Sequence, residues 1–432
     1  MERYETPDLR VTLYKNGTSI RDIANEKVKD EDQDEPKRED VDDPFYLYDL
    51  GDVVTKDKLW AKLLPNVEVF FAVKSNPDPV IIRLLIGLGK SFDCASKKEI
   101  KMVLDLGASA DRIIFAHPYK QESHLRFAKE KGVRLMTFDT AEELQKVKRV
   151  HPKAQLVLRI RYDDSTATFK YGSKFGCRGE EVRPLLEIAK KLGLDVVGIS
   201  FHVGSESSNP QIFRDAIRFT RPLFDIGTSL GFNMKLLDLG GGFPGRLYPK
   251  ATFDKFADVI TRALDEHFPA SSGVRIIAEP GTFHTRSAGY LVANVIAKRV
   301  NKVDINERRE RVSDGDEPFI WIYYLNVGVF SGLNGKLFDP EYFDLPEPLH
   351  EPLRNRDLKP STIFGPTCDS NDVIMANCML PELDTGEFVL FHDMGGYTAT
   401  CACDFNGFSL PPTWYIAPKE IRLVLEKTFP AQ

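Results

Sequence analysis

The chain holds 432 residues, with a formal net charge of -6, 42% hydrophobic and 28% charged residues. That is the composition of an ordinary soluble globular protein, too long for one small core, and its mild acidity gives no reason to expect a nucleic-acid partner. Six cysteines (Cys94, Cys177, Cys368, Cys378, Cys401, Cys403) lack CxxC spacing, which excludes a disulfide scaffold and favours reduced thiols.

Residues 1–44 contain one strand-like piece, Leu9–Tyr14, and a charged stretch, NEKVKDEDQDEPKREDVDDP, read as a solvated surface segment. The start, Met-Glu-Arg-Tyr-Glu, has no basic-then-apolar signal pattern. No apolar run approaches the ~20 residues of a membrane span. The cytoplasm is the expected location, with no membrane contact.

From Phe45 onward, short apolar runs alternate with segments of helical period. The runs are Val67–Lys74, Ser91–Ser96, Arg112–His117, Leu135–Asp139, Gln155–Arg161, Val196–Val203, Leu236–Phe243 and Val274–Gly281. Between them lie stretches such as PVIIRLLIGLG and VRPLLEIAKKLG, several ending in glycine. Eight such units predict an α/β fold with a closed (β/α)8 barrel over 45–284, rather than an open sheet. After Thr285 the pattern turns strand-rich: YLVANVIAKRV, EPFIWIYYLNVGVF, STIFGPTCD, EFVLFHDMG and TWYIAP. Residues 285–432 therefore predict an all-β sandwich or barrel domain. The 1–44 segment is expected to join it, because its strand precedes the barrel and needs a sheet.

Sites in such barrels sit at the C-terminal ends of the strands, and these runs end on functional residue types. Lys74 ends the first, Asp93 lies in the second, and His117 ends the third. Arg159 and His202 lie near the ends of the fifth and sixth. Gly240, Gly241 and Gly242 follow the seventh, and Glu279, Pro280 and Gly281 close the eighth. Consecutive glycines let backbone N–H groups nest an anion, and barrels often hold a phosphate on the loops after strands seven and eight. A desolvated lysine at a barrel mouth is a nucleophile toward an aldehyde. Each feature has a plain alternative: a shape-determined turn, a snorkelling lysine, a satisfied core histidine. Together, a lysine amine, a phosphate nest and a strand-end carboxylate for a pyridine nitrogen are what pyridoxal 5'-phosphate requires.

The motifs FFAVKSNPDP, FDCASKKEI, FHVGSES, LDLGGGFPG, AEPG, GPTCDSND, DMGGYT and FNGF resemble, in order, those of the eukaryotic ornithine decarboxylases. The resemblance runs from Pro44 to Pro418 and implies a pyridoxal-phosphate enzyme that forms putrescine from L-ornithine for polyamine biosynthesis. It implies Lys74 as the Schiff-base lysine, Asp93 and Arg159 as residues that order the site, and His202 stacked on the cofactor ring. Ser205, Gly240, Gly241, Gly242 and Glu279 to Thr282 become the cofactor cradle, with Glu279 on the ring nitrogen and Tyr397 on the phosphate. Cys368 becomes the acid that returns a proton to the substrate Cα. Asp369 and Asp339 receive the distal ammonium, in a pocket lined by Phe338 and Phe405. The resemblance further implies a homodimer with shared active sites.

Four positions depart from that pattern. The family reads Glu-Pro-Gly-Arg where this chain has Thr282, so a charge and a bidentate fork toward the phosphate are missing. Val327 stands where an acidic residue is common, and Phe330 and Phe338 where tyrosine is common. The first points to weaker cofactor retention, with Arg286 as a substitute ligand; the others bear on substrate preference. The chain also ends soon after the last β segment, without the long tail of some animal relatives. Two other readings stay open: a decarboxylase of another cationic or modified amino acid such as lysine, and a non-catalytic regulatory homologue of the antizyme-inhibitor type.

Overall fold

The computed structural model describes residues 2–29, 41–162, 172–205, 208–302, 319–338, 342 and 344–430. It divides into two compact units: Val53–Thr285, and Met1–Asp52 with Arg286–Gln432. In chain order the strands are β1 (Glu2–Thr6), β2 (Leu9–Tyr14), β3 (Phe45–Asp49), β4 (Val67–Ala72), β5 (Ser91–Cys94), β6 (Ile113–Phe115), β7 (Leu135–Phe138), β8 (Gln155–Arg159), β9 (Asp195–Ser200), β10 (Leu236–Asp238) and β11 (Arg275–Ala278). There follow β12 (Gly289–Lys302), β13 (Phe319–Leu325), β14 (Glu347–Pro348), β15 (Leu358–Phe364), β16 (Val373–Pro381), β17 (Phe388–Phe391) and β18 (Thr413–Pro418).

Strands β4 to β11 pair in parallel and close on themselves, β11 returning to β4. All eight barrel strands coincide with the apolar runs of the sequence. Phe70, Ile114, Val157, Val197, Leu236 and Ile277 point inward and fill the barrel as one buried cluster, so the interior is a core and not a channel. Three of the helices between the strands start on polar caps that accept hydrogen bonds. Asp78 accepts from the N–H groups of Val80 and Ile81 at 3.0 and 3.1 Å, ahead of Pro79 at the first helical position. Ser96 and Thr140 cap the helices Lys97–Asp105 and Ala141–Val150 in the same way.

The other unit is a ten-stranded sheet with the order β1-β2-β18-β3-β12-β13-β15-β16, in which β17 bonds both β12 and β14. Residues two apart on four strands build its core: Phe45 and Leu47, Tyr290 and Val292, Phe388 and Leu390, Trp414 and Ile416. Its membership differs from the sequence reading at one point. Phe45–Asp49 lies in this sheet, bonded to β12 on one side and β18 on the other, and the barrel unit begins at Val53. The run FYLYD is buried at every position, so its apolar character alone does not say which of two sheets it joins. The charged stretch differs too. Its first residues belong to a helix, Ile20–Lys29, with Ile23, Ala24 and Lys27 buried. Residues 30–40 and 303–318 lie outside the described residues. Among the described residues no helix is long and apolar enough to cross a membrane.

Candidate active site

The stretch after β4 shows how a strand delivers an amine. Ala72 ends the strand and a single 3-10 turn, Val73–Ser75, carries Lys74. Ser75 Oγ donates to the Ala72 carbonyl at 2.8 Å, and Asn76 Oδ1 accepts from the Asp78 N–H at 3.0 Å. The polar residues of VKSNPDP thus tie the turn down on both sides of the lysine. Lys74 Nζ reaches Asp93 Oδ2 of β5 at 2.6 Å. Asp93 is buried, and its other oxygen, Oδ1, has no hydrogen-bond partner.

Two more buried carboxyls lie on the other side of β4, at the ends of β10 and β11. Asp238 ends β10, fully buried, and its Oδ1 accepts from the Gly240 N–H at 2.9 Å. Glu279 follows β11, and its Oε1 is buried without a partner. Burial pushes the Asp238 carboxyl up to about 7, against the pull of the Gly240 N–H. Burial, then the charges of Asp238 and Asp93, push Glu279 well above the usual carboxylate range, while Lys74 pulls it back. The two carboxyls behave as a pair that holds a proton, because both cannot ionise in a dry pocket.

His202, just past β9, is held neutral: burial lowers its basicity most, and the positive charges of Arg159 and Lys74 add to that. Its Nδ1 accepts from the Gly204 N–H at 3.0 Å, so the proton resides on Nε2. The glycines beside it are required by space. A Cβ on Gly240 would lie 2.2 Å from the Phe201 carbonyl oxygen, one on Gly241 2.8 Å from His202 Nε2, and one on Gly242 2.7 Å from the Gly204 carbonyl oxygen. Gly240 and Gly242 also take φ of +62° and +110°, open to glycine and strained for other residues. Ser205 follows Gly204 and is half-buried. The Pro280 carbonyl accepts from the Ala72 N–H at 3.1 Å, which locks β11 to β4. Gly281 packs on Ser75, whose Oγ a Cβ would approach to 2.7 Å. Thr282 opens the short helix Thr282–Thr285. Arg159 ends β8, its guanidinium 4.9 Å from the Phe175 ring. The barrel thus brings Lys74, Asp93, His202, Glu279 and the three glycines to one rim.

The second group lies in the β unit. Cys368 is exposed, and its backbone N–H donates to Asn406 Oδ1 at 2.9 Å. Asp369 Oδ1 accepts from the N–H and the side-chain amide of Asn371 at 2.7 and 2.9 Å. The Phe405 ring lies 4.8 Å from that of Phe330. Tyr397 is half-buried with φ of +50°. Phe338 closes the short helix Gly335–Phe338; Asp339 lies outside the described residues. Val327 is fully buried, its Cγ2 3.2 Å from where a Cβ on Gly332 would stand. Arg286 is not a rim cation: it is fully buried within the β unit, over the Tyr342 ring at 4.2 Å and bonded to the Tyr342 carbonyl.

Three residues that the sequence reading passed over hold these groups in place. Asp238 supports the glycine turn. Asn406, at φ +55°, holds the Cys368 backbone. Asp372, buried, accepts from the Val329 N–H at 2.8 Å, the Thr367 N–H at 3.0 Å and the Thr367 hydroxyl at 2.7 Å. Each sits inside a quoted motif, but only Asn406 carried a local signal, a short polar side chain directly before a glycine.

Comparison with known proteins places this geometry. The family model "Pyridoxal-dependent decarboxylase, pyridoxal binding domain" matches residues 50–286. The chain is 41% identical to ornithine decarboxylase of Mus musculus over 422 residues, 96% of this chain and 88% of that one. It is 42% identical to antizyme inhibitor 2 of Xenopus laevis over 409 residues, 94% and 87% of the two chains. The solved arginine decarboxylase of Paramecium bursaria Chlorella virus, bound to agmatine, superposes with a TM-score of 0.82 at 36% identity, covering 92% of this chain and 100% of that one.

The residues present fit pyridoxal phosphate. Glu279 Oε1 is a buried acceptor without a donor, suited to a protonated ring nitrogen. The glycine turn leaves room where any Cβ would collide, and Lys74 offers an amine of the kind an aldehyde requires. With the lysine, the paired carboxyls and the glycine cradle on the strand ends of one barrel, and likeness running through both units, the chain belongs to the eukaryotic ornithine decarboxylase family of pyridoxal-phosphate-dependent decarboxylases.

Proposed function

We propose that the chain decarboxylates L-ornithine to putrescine and carbon dioxide in the cytoplasm, as a homodimer whose active sites draw Lys74 and Cys368 from different subunits. The observation that carries this reading is the Cys368–Asp369 loop, kept in a chain that also keeps the Lys74–Asp93 pair. Pyridoxal phosphate, when bound, is an electron sink for the electrons left on Cα as carbon dioxide departs. Lys74 supplies the amine, and Asp93 orients it. Glu279 would meet the ring nitrogen, and neutral His202 would cover the ring without adding charge. Ser205, Gly240 to Gly242, Pro280, Gly281, Thr282 and Tyr397 form the cradle, with Arg159 ordering it. Cys368 returns a proton to Cα. Asp369 and Asp339 attract the distal ammonium beside Phe338 and Phe405.

A different cationic substrate is the second reading. Buried Val327 in place of an acidic residue favours it, as does the likeness to a viral arginine decarboxylase. Carbon dioxide release from L-ornithine, L-lysine and L-arginine by protein supplied with pyridoxal phosphate decides. Preference for ornithine supports the proposal, and preference for either other amino acid replaces it. Release from none of them, with cofactor bound or not, moves the reading to a specialised substrate or to the antizyme-inhibitor type respectively.

A further inference from the structure

Phe243 directly follows the Gly240–Gly242 turn, and Phe283 directly follows Thr282. Both rings stand steeply tilted against one indole, Trp60 of the helix Leu50–Leu63. Phe243 lies 4.8 Å from it at 69°, and Phe283 5.3 Å from it at 66°. Phe253 stacks on the same indole at 5.3 Å and 25°, and reaches both loop rings, 4.3 Å from Phe283 and 6.3 Å from Phe243. Ring pairs at these separations attract beyond the area they bury. Trp60 is buried, and its Nε1 donates to the carbonyl of Val67, where β4 begins, at 2.8 Å. The barrel wall therefore sets the direction of the indole. The two loops also meet each other: a Cβ on Gly245 would lie 2.2 Å from the Thr282 carbonyl oxygen. With no room between them, neither loop shifts without the other, and Trp60 is a ring they share. All of these residues belong to the Val53–Thr285 unit. A nest of N–H groups suits an anion only while its backbone and the facing turn keep their spacing. Threonine at position 282 makes that spacing count for more, because a hydroxyl acts only at hydrogen-bonding range and a charge acts further.

We propose that Trp60 is a positioning residue for the cofactor phosphate: it holds the glycine turn after β10 and the Thr282 turn after β11 at the spacing a phosphate needs. The inference rests on the proposed pyridoxal phosphate site and is independent of which amino acid is the substrate. Equilibrium dialysis of the full chain against pyridoxal phosphate and against pyridoxal, which lacks the phosphate, tests it, with urea unfolding alongside. Trp60→Leu is expected to weaken pyridoxal phosphate binding roughly tenfold, part of the worth of charged hydrogen bonds to the phosphate, and to leave pyridoxal binding unchanged. Trp60→Phe keeps a ring for both loops and stays near the parent. Phe224→Leu trims a buried ring that pairs with Phe268 elsewhere in the same unit. It lowers the urea midpoint as a core truncation does and leaves the preference for the phosphorylated ligand intact. Phe283→Leu, which removes one of the two loop rings, replaces Trp60→Leu if circular dichroism shows the latter unfolded. Unchanged pyridoxal phosphate binding in the variant, equal loss of both ligands, or the same lost preference in Phe224→Leu overturns the proposal. A parent protein that binds the two ligands alike also overturns it, by removing the phosphate site on which it rests.

Discussion

Lys74 Nζ lies 2.6 Å from Asp93 Oδ2, and the two ends of this pair are unequal: the Asp93 side chain is 1% exposed and that of Lys74 43%. The carboxylate is buried in the barrel, and the amine is the accessible end. Such a pair adds little to stability, because the exposed partner is screened by water. Under the proposed function, its value is to aim the amine.

Asp93→Asn preserves the shape of the buried side chain and removes its charge. Its Oδ1 has no partner to lose. We expect the melting temperature to change little, while carbon dioxide release falls about tenfold to a hundredfold through misplacement of the amine. Lys74→Ala abolishes release, and borohydride reduction then leaves no cofactor covalently attached. A covalently labelled Lys74→Ala protein would assign the amine to another residue.

The Asp238–Glu279 pair makes stability depend on pH. Both carboxyls are raised by burial, Asp238 to about 7. A group whose folded value lies above its unfolded value stabilises the fold at low pH, and that stability is lost as pH rises through the folded value. Each unit of such a shift is worth ~1.4 kcal/mol. Without cofactor, the protein is therefore expected to lose melting temperature between about pH 4 and 7 through this pair, on top of its other titrations. Asp238→Asn accepts from Gly240 through its amide oxygen and removes one titrating group. The difference between its melting temperature and that of the parent should grow in its favour as pH rises, and thermal melts across that range measure it. A constant difference would show that Asp238 does not titrate there.

Much of this was legible beforehand, because barrel strands are continuous apolar runs and their ends are punctuated by residues of unusual type. Lys74 after FFAV and Glu279 after RIIA stand out for that reason. Less legible were elements whose pattern is mixed. Strand β16, VIMANCMLP, has a burial pattern that breaks its alternation, and its pairing with β15 is irregular, so it did not read as a strand. The β3 run was legible as a strand, but its sheet was decided by partners more than 200 residues away, such as Tyr290 and Leu291. Asp238 and Asp372 are legible only as acids, since their role depends on which N–H groups converge on them. Arg286 misled for the converse reason: its nearness in sequence to Thr282 says nothing about its burial against Tyr342.

Gly241 faces both His202 and the backbone after β11. A methyl there would meet His202 Nε2 at 2.8 Å and the Glu279 carbonyl oxygen at 3.1 Å. Gly241→Ala should displace the His202 ring at a cost of ~1–3 kcal/mol, typical of overpacking. Chemical denaturation reads that cost. The cofactor absorbance band should weaken or shift in the same variant, because the ring proposed to cover the cofactor has moved. A variant with unaltered stability and spectrum would mean that His202 has slack that the geometry does not show.

Asp372 supports the cysteine loop as Asp238 supports the glycine turn. Cβ atoms on Gly328 and Gly365 would each stand 2.2 Å from its Oδ1, so two glycines clear the space in which the carboxylate gathers Val329 and Thr367. Asp372→Ala leaves two buried N–H groups and a hydroxyl without their acceptor, a loss of about 3 kcal/mol. Cys368 follows Thr367 directly, so the same change frees the loop that presents the thiol. Cys368→Ala, in contrast, removes an exposed side chain and only the proposed proton donor. Urea unfolding and carbon dioxide release together separate the two. Cys368→Ala should keep the parent midpoint and lose about a hundredfold in rate, within the range for a general acid. Asp372→Ala should lose both midpoint and rate. A Cys368→Ala protein as fast as the parent would remove the thiol from the proton-return step and leave Asp372 with a purely architectural part.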